Sequence, residues 1–206
     1  MNNSDIIGIC GWAGSGKDTA ANFLIKNHGY RKVSFATTLK DAAAAIFGWP
    51  RSLLEGDTEQ SRLWREQIDT WWANRLDIPH LTPRWVLQNI GTDVMRKAFH
   101  DDIWIASLEY ALLGEPNKYV ISDVRFPNEI DMVHKLGGEM VFIQRGLAPA
   151  WTNHTYEDLN DLRSFMTKFF PEVHASEYSW YLSKIDHHVD NNGTIAELEQ
   201  KMGLIV

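Results

Sequence analysis

The chain has 206 residues, 44% of them hydrophobic, and a formal net charge of −7. That length suits one sizeable α/β domain with an inserted subdomain, and the acidic balance argues against a nucleic-acid polymer as the main partner, because a polyanion needs a basic face. A single cysteine, Cys10, excludes an internal disulfide framework; with no basic leader and no run of about 20 apolar residues, a protein of the reducing cytoplasm with no membrane partner is expected.

The first predicted strand, 5–10, feeds the loop Gly11-Trp12-Ala13-Gly14-Ser15-Gly16-Lys17-Asp18-Thr19. A helical pattern follows over about 17–27. Strand, glycine loop and helix in that order predict a phosphate cradle: the glycines allow a tight turn that aims backbone N–H groups inward, the helix N-terminus adds partial positive charge, and Lys17 adds a full one. Gly11, Ala13, Gly14, Ser15, Gly16, Lys17, Asp18 and Thr19 are the expected triphosphate-binding residues. The residue after the lysine normally carries a hydroxyl for Mg²⁺. Here it is Asp18, which can hold the metal as a carboxylate, leave that task to Thr19, or simply favour the first helical turn.

A strand at 32–36 and a helix at 37–47 come next. Three helical patterns then run over 58–75, 83–98 and 102–113; Asp57 with Gln60 predicts a cap for the first, Thr82-Pro83 for the second. Lys40, Arg65, Arg84, Gln88 and Arg96 supply cations and a base-reading amide, with Arg84, Gln88 and Arg96 spaced to share one helical face. Each could equally be part of a solvated, salt-bridged surface. Strands at 118–123, 139–144 and 185–190 complete the pattern. The first of these ends in Ser122-Asp123-Val124-Arg125, at the strand end where ligands gather in parallel sheets. Asp123 is a candidate second acidic contact to Mg²⁺ and Arg125 a candidate phosphate fork; alternatively Asp123 caps a turn and Arg125 pairs with Glu129. Residues 146–183 are too long for a plain connection and suggest a lid. Thr194 and Glu197 predict a capping box on the last helix.

These motifs, with Ser34-Phe35-Ala36-x-x-Leu39-Lys40, Thr82-Pro83-Arg84-Trp85-Val86-Leu87-Gln88-x-Ile90-Gly91-Thr92-Asp93-x-x-Arg96 and Asp102-x-Trp104, resemble the phage deoxynucleoside monophosphate kinases from about residue 6 to 193. Lys17-Asp18, Ser122-Asp123-x-Arg125 and His174-Ala175-Ser176-Glu177 also resemble the related phosphomevalonate kinases. The resemblance implies a three-layer α/β/α phosphate-loop fold, with a five-stranded parallel sheet, a helical substrate-binding insertion and a lid. The implied division is a core of 1–48, 114–145 and 184–206, an insertion of about 49–113 and a lid of about 146–183. It implies transfer of the ATP γ-phosphoryl group to a deoxynucleoside monophosphate (dNMP), with ATP and Mg²⁺ as cofactors. The Asn191-Asn192-Gly193 turn would lie near the adenine. Lys40, Arg65, Arg84, Gln88, Arg96, Trp104 and Arg125 would hold the dNMP.

In that scheme Lys17, Asp123 and Arg125 are catalytic, Asp18, Thr19 and Asp123 position the metal, and Arg145, Arg163, His174 and Glu177 belong to the lid. The acceptor oxygen is already ionised near neutral pH, so positioning and charge neutralisation replace a general base. A kinase of another phosphorylated small molecule, such as phosphomevalonate or dephospho-coenzyme A, and a nucleotide-sensing module are the competing readings. The sequence leaves a homodimer open.

Overall fold

The computed structural model describes residues 6–113 and 117–206. Asp5 of the first predicted strand and residues 114–116 lie outside them. In chain order, β1 (Ile6–Cys10) leads to α1 (Lys17–His28), β2 (Arg31–Val33) and α2 (Thr37–Phe47). A helical series follows: α3 (Glu59–Glu66), α4 (Thr70–Leu76), α5 (Pro83–Gln88), a π-helical stretch (Asn89–Phe99) and α6 (Ile103–Leu112). Then come β3 (Tyr119–Ile121), α7 (Pro127–Lys135), β4 (Glu139–Gln144), α8 (Leu159–Phe169), β5 (His187–Asp190) and α9 (Ile195–Gly203). The chain divides into two compact units, Met1–Ser34 with Leu112–Val206, and Phe35–Ala111.

The first unit is built on a five-stranded sheet in the order β2-β3-β1-β4-β5, with every pairing parallel. β1 is central and buried along its whole length, which is why it reads as a continuous apolar run rather than an alternating one. Ile7 and Ile9 point into a core shared with Ala20, Ala21 and Leu24 of α1 and Leu198 and Met202 of α9. Gly8 faces the other way: a Cβ there would stand 2.3 Å from Met140 Sδ and 3.2 Å from Val133 of α7. Alternation along one strand therefore puts α1 and α9 on one face and α7 on the other, giving three layers. Cutting the fully buried Leu24 back to alanine would cost about 2–5 kcal/mol.

β2 and β3 are shorter than the predicted 32–36 and 118–123. The ladders end at Val33 and Ile121, so Ser34, Ser122 and Asp123 lie just beyond them. β5 begins at His187 rather than at 185, and Asp186 before it is tied to Met140 twice, its N–H donating to the Met140 carbonyl at 3.0 Å and its carboxylate accepting the Met140 N–H at 2.8 Å. On α9 the predicted capping box is present: Thr194 Oγ1 accepts from the Glu197 N–H at 3.3 Å and Glu197 Oε2 from the Thr194 N–H at 2.8 Å. The segment suggested as a lid carries a core of its own, in which Trp151, Tyr156, Leu162, Met166 and Tyr178 are buried together.

The second unit closes on Ala43, Trp49, Leu54, Ala73, Leu81 and Val86, with Trp64, Trp72 and Trp85 packed against them. Phe47 and Trp49 stack at 4.4 Å between centroids. Its helices differ from the predicted ones in three ways. The cap of α3 is Thr58, not Asp57: Thr58 Oγ1 accepts from Ser61 N–H at 3.1 Å and Ser61 Oγ accepts from Thr58 N–H at 3.1 Å, so the box closes one residue later. The single helix expected over 58–75 breaks at Gln67, whose ψ is 139°. Asp69 restarts it as an N-cap, accepting from Trp72 N–H at 3.1 Å and from the Trp49 indole at 2.7 Å. Finally, the helix expected over 83–98 is α-helical only to Gln88. Beyond it the i→i+5 ladder widens each turn, and Arg96 is buried while Arg84 and Gln88 stay exposed. The three do not share a face.

Candidate active site

The loop between β1 and α1 takes its shape from three glycines with positive φ, namely Gly11 (143°), Gly14 (74°) and Gly16 (101°). Space as well as dihedral requires two of them. A Cβ on Gly11 would meet the Ile143 carbonyl at 2.3 Å, and one on Gly16 would meet Asn191 Nδ2 at 2.3 Å. Gly16 is the N-cap of α1 and offers no side chain to its first N–H groups. Those donors and the helix dipole are thereby left for an anion.

Lys17 Nζ bonds back to the carbonyls of Gly11 and Trp12, at 2.7 Å each. The ammonium is thus held over the loop. Burial lowers its pKa, the charge of Arg125 lowers it further, and Glu177 and Asp18 partly oppose them. Ser15 is buried, and its Oγ has no partner among the described residues. Trp12 wedges between Phe142 (5.1 Å) and Trp180 (5.8 Å), with Trp151 at 6.4 Å, tying the loop to the aromatic core of 150–181. Cys10, directly before the loop, is fully enclosed, and burial pushes its thiol up to about 12. It is a packing residue.

Three acidic or hydroxyl pairs assemble beside the loop. Ser34 Oγ donates to Asp123 Oδ2 at 2.6 Å, whereas Asp123 Oδ1 is buried without a partner among the described residues. Ser122 Oγ donates to Asp18 Oδ1 at 3.3 Å, and Lys32 Nζ reaches the same oxygen at 3.1 Å. Arg125 pairs with Glu177 Oε1 at 2.6 Å and reaches Ser176 Oγ at 3.3 Å. The pairing of Arg125 with Glu129 considered from sequence is made by backbone instead. Glu129 Oε2 accepts the N–H groups of Arg125 (2.7 Å) and Phe126 (3.2 Å), pinning the loop that carries Asp123. His174 caps the short turn Ala175–Glu177 through its side chain. The charges of Asp18, Arg125 and Glu177 therefore all act on Lys17.

Other residues are placed differently. Asn191 lies beneath the loop, its Nδ2 donating to the Ser15 carbonyl at 2.8 Å. Asn192 Oδ1 accepts from Gly146 N–H at 2.7 Å. A Cβ on Gly193 would collide with Glu197. Arg145 and Arg163 are both exposed.

In the second unit, Lys40 pairs with Glu55 at 2.6 Å and Arg84 with Glu66 at 2.9 Å. Arg96 lies 3.7 Å from Asp101. Trp104 is buried, its indole N–H bonded to the Gly91 carbonyl at 2.9 Å within the π-helical stretch. Sequence reasoning missed Ser34, Ser122 and Trp12 as members of the site. Their one signal was position, at the carboxyl end of a strand or inside the glycine loop.

A glycine-built anion cradle with a lysine bonded across it, at the carboxyl edge of a parallel sheet, defines a phosphate-loop protein. The sequence pattern of the deoxynucleotide monophosphate kinase family matches residues 55–159. A putative deoxynucleotide monophosphate kinase of Acanthamoeba polyphaga mimivirus is 34% identical over 88% of this chain and 96% of its own. The deoxynucleoside-5′-monophosphate kinase of Escherichia phage T5 is 29% identical over 64% of this chain and 72% of its own. The chain belongs to the deoxynucleotide monophosphate kinase family. Among solved structures, a dephospho-CoA kinase from Campylobacter jejuni aligns over 98% of this chain and 95% of its own at 14% identity and a TM-score of 0.43. No helix among the described residues is long and apolar enough to cross a membrane.

Proposed function

We propose that this protein transfers the γ-phosphoryl group of ATP to the 5′-phosphate of a deoxynucleoside monophosphate, giving a deoxynucleoside diphosphate and ADP. The observation that carries the reading is the assembled phosphate loop in a chain of this family, with Lys17 held by two carbonyls and the α1 N-terminus uncapped by any side chain.

In this reading the loop N–H groups and the free Ser15 hydroxyl receive the triphosphate, and Lys17 exchanges its carbonyl partners for phosphate oxygens. Arg125 leaves Glu177 for a phosphate, its planar fork matching two oxygens at once. Asn191 holds the loop in shape from below. Glu129 fixes the Asp123–Arg125 turn. Lys40, Arg65, Arg84, Gln88 and Arg96 of the second unit serve the dNMP, and Trp104 braces the π-helical stretch that bears Arg96. Arg145, Arg163, His174 and Glu177 belong to the covering segment.

Mg²⁺ fits the donor set. Asp123 Oδ1 is a buried carboxylate oxygen with no partner among the described residues, and Asp18 and Thr19 add oxygen donors of the kind a hard cation takes. Such ions need only one or two carboxylates beside the substrate's own phosphates. When bound, the ion neutralises phosphate charge. Ser34 orients Asp123 and Ser122 orients Asp18. The acceptor oxygen needs no base, so the protein's work is alignment, charge balance and exclusion of water.

The test is direct: ATP and Mg²⁺ with each dNMP, each ribonucleotide, phosphomevalonate and dephospho-coenzyme A, reading the phosphorylated product. Diphosphate from at least one dNMP is expected. Phosphate release without any acceptor product would overturn the reading.

A further inference from the structure

The phosphate loop is built from backbone that is costly to order. Between β1 and Lys17 it reads Gly11-Trp12-Ala13-Gly14-Ser15-Gly16, and its three glycines all take positive φ. Glycine loses more conformational freedom on ordering than any other residue, so such a loop keeps one shape only where something outside it holds it. Asn191 does so from below. The other anchor is the one large side chain in the loop, Trp12.

The Trp12 ring is gripped from outside the loop. It meets Phe142 of β4 edge-on (5.1 Å between centroids, 88°), Trp151 edge-on (6.4 Å, 80°) and Trp180 at a tilt (5.8 Å, 52°). Trp151 and Trp180 are themselves buried, and Trp180 leans on Phe142 (5.1 Å) and Tyr181 (6.2 Å). Both tryptophans belong to the segment suggested as a lid. The backbone of Trp12 meanwhile shapes the loop. Its carbonyl accepts the Ser15 N–H at 3.2 Å, closing the turn over Ala13-Gly14, and the Lys17 ammonium at 2.7 Å. One residue thus joins an aromatic socket of the covering segment to the carbonyl that closes the loop. A second link runs by charge: Glu177 of the same segment acts on Lys17 and pairs with Arg125.

We propose that Trp12 is a positioning residue for the ATP phosphates: clamped by Trp151 and Trp180, it holds the 12–15 turn closed and Lys17 within reach, so that the covering segment buttresses the loop. This deepens the proposed function and rests on its ATP site. The turn stays closed through the Ser15 N–H when Lys17 leaves the carbonyl for phosphate, and ATP meets donors already in place. Binding to an ordered loop costs less than ordering it on binding. Freed from its socket, Trp12 would leave three glycines to be ordered by the nucleotide itself.

The experiment is calorimetric titration with ATP and Mg²⁺, and steady-state kinetics with ATP and the preferred dNMP each varied in turn. The proteins are wild type, Trp12→Phe, Trp12→Ala, Trp180→Leu, the double variant of the last two, and Phe165→Leu, each shown to have a native far-UV circular dichroism spectrum. Phe165 packs in the same aromatic core, against His154 (4.5 Å) and Tyr156 (5.5 Å), and makes no ring contact with Trp12 among the described residues. It therefore controls for loss of stability alone. Expected is a rise of at least about tenfold in Kd and KM for ATP in Trp12→Ala, with KM for the dNMP unchanged. Trp12→Phe, which refills most of the socket, should stay within about threefold of wild type. Trp180→Leu should raise the same constants by a smaller factor, and the double variant should be no worse than Trp12→Ala alone, because Trp180 acts through Trp12. Phe165→Leu should lower Tm and leave the ATP constants alone. Unchanged ATP constants in Trp12→Ala and Trp180→Leu would overturn the anchor while the kinase reading stands. Equal weakening by Phe165→Leu, or full additivity in the double variant, would overturn it too. If wild type binds ATP but phosphorylates no dNMP, the transfer reading falls and the calorimetric comparison still decides the anchor; if it binds no ATP, both fall. Should Trp12→Ala not fold, Trp180→Leu against Phe165→Leu carries the same decision.

Discussion

The phosphate loop and the helical second unit hold their polar groups in place by opposite means. In the loop the polar groups are mostly backbone, and its one cation, the half-buried Lys17, is kept in place by two carbonyls. In the second unit the cations are long side chains held by carboxylates, Lys40 by Glu55 and Arg84 by Glu66. A backbone cradle is rigid and tolerates little substitution. A side-chain pairing can be retuned by exchanging one carboxylate.

That contrast can be broken from the loop side first. Lys17→Ala should keep a native far-UV circular dichroism spectrum and lose about a thousandfold in transfer rate, a far larger effect than any single cation of the second unit produces. Near-normal turnover in that variant would remove the loop from the chemistry. Ser34→Ala leaves Asp123 in place but unoriented, and about a tenfold loss of kcat with a raised Mg²⁺ requirement is expected. Asn191→Ala should lower unfolding free energy by about 1–3 kcal/mol in urea titrations and raise KM for ATP but not for the dNMP. A matching rise for the dNMP would show that the two regions do not work separately.

The smallest effect concerns acid stability of the sheet edge. Burial raises the Asp186 pKa, but the Met140 N–H and then His134 outweigh it, so the carboxyl sits below its ordinary 3.8. A depressed carboxyl stabilises the fold fully above its unfolded pKa and loses that contribution as pH falls through the folded value. The stability gap between wild type and Asp186→Asn should therefore be constant near neutrality and close below about pH 3.8. A gap that widened in acid would reverse the sign of this coupling.

Legibility in the sequence followed the same divide. β1, the glycine loop, β4 and the cap of α9 were readable because glycine dihedrals, apolar runs and capping spacings are local instructions. The site around Asp123 was only half readable: its strand-end position was visible, but Ser34 lies 89 residues away in sequence and Glu177 lies 52 residues from Arg125. Contacts at that range carry no local pattern. The shared face of Arg84, Gln88 and Arg96 failed for a different reason, since a 3.6-residue period was carried across a helix that changes its pitch at Asn89. At α3 two adjacent polar residues could each cap, and Thr58 won over Asp57 by meeting Ser61 reciprocally.

The enclosure of Cys10 has a practical consequence. The chain's only thiol is fully shielded and protonated at neutral pH, so it is inert toward maleimides and disulfides. The natural sequence is therefore already a clean background for site-directed labelling. One new cysteine on an exposed residue outside the proposed site, Asn27→Cys in one unit or Arg75→Cys in the other, would carry a dye with no deletion elsewhere. Such a dye would report on its own unit in the otherwise unaltered protein.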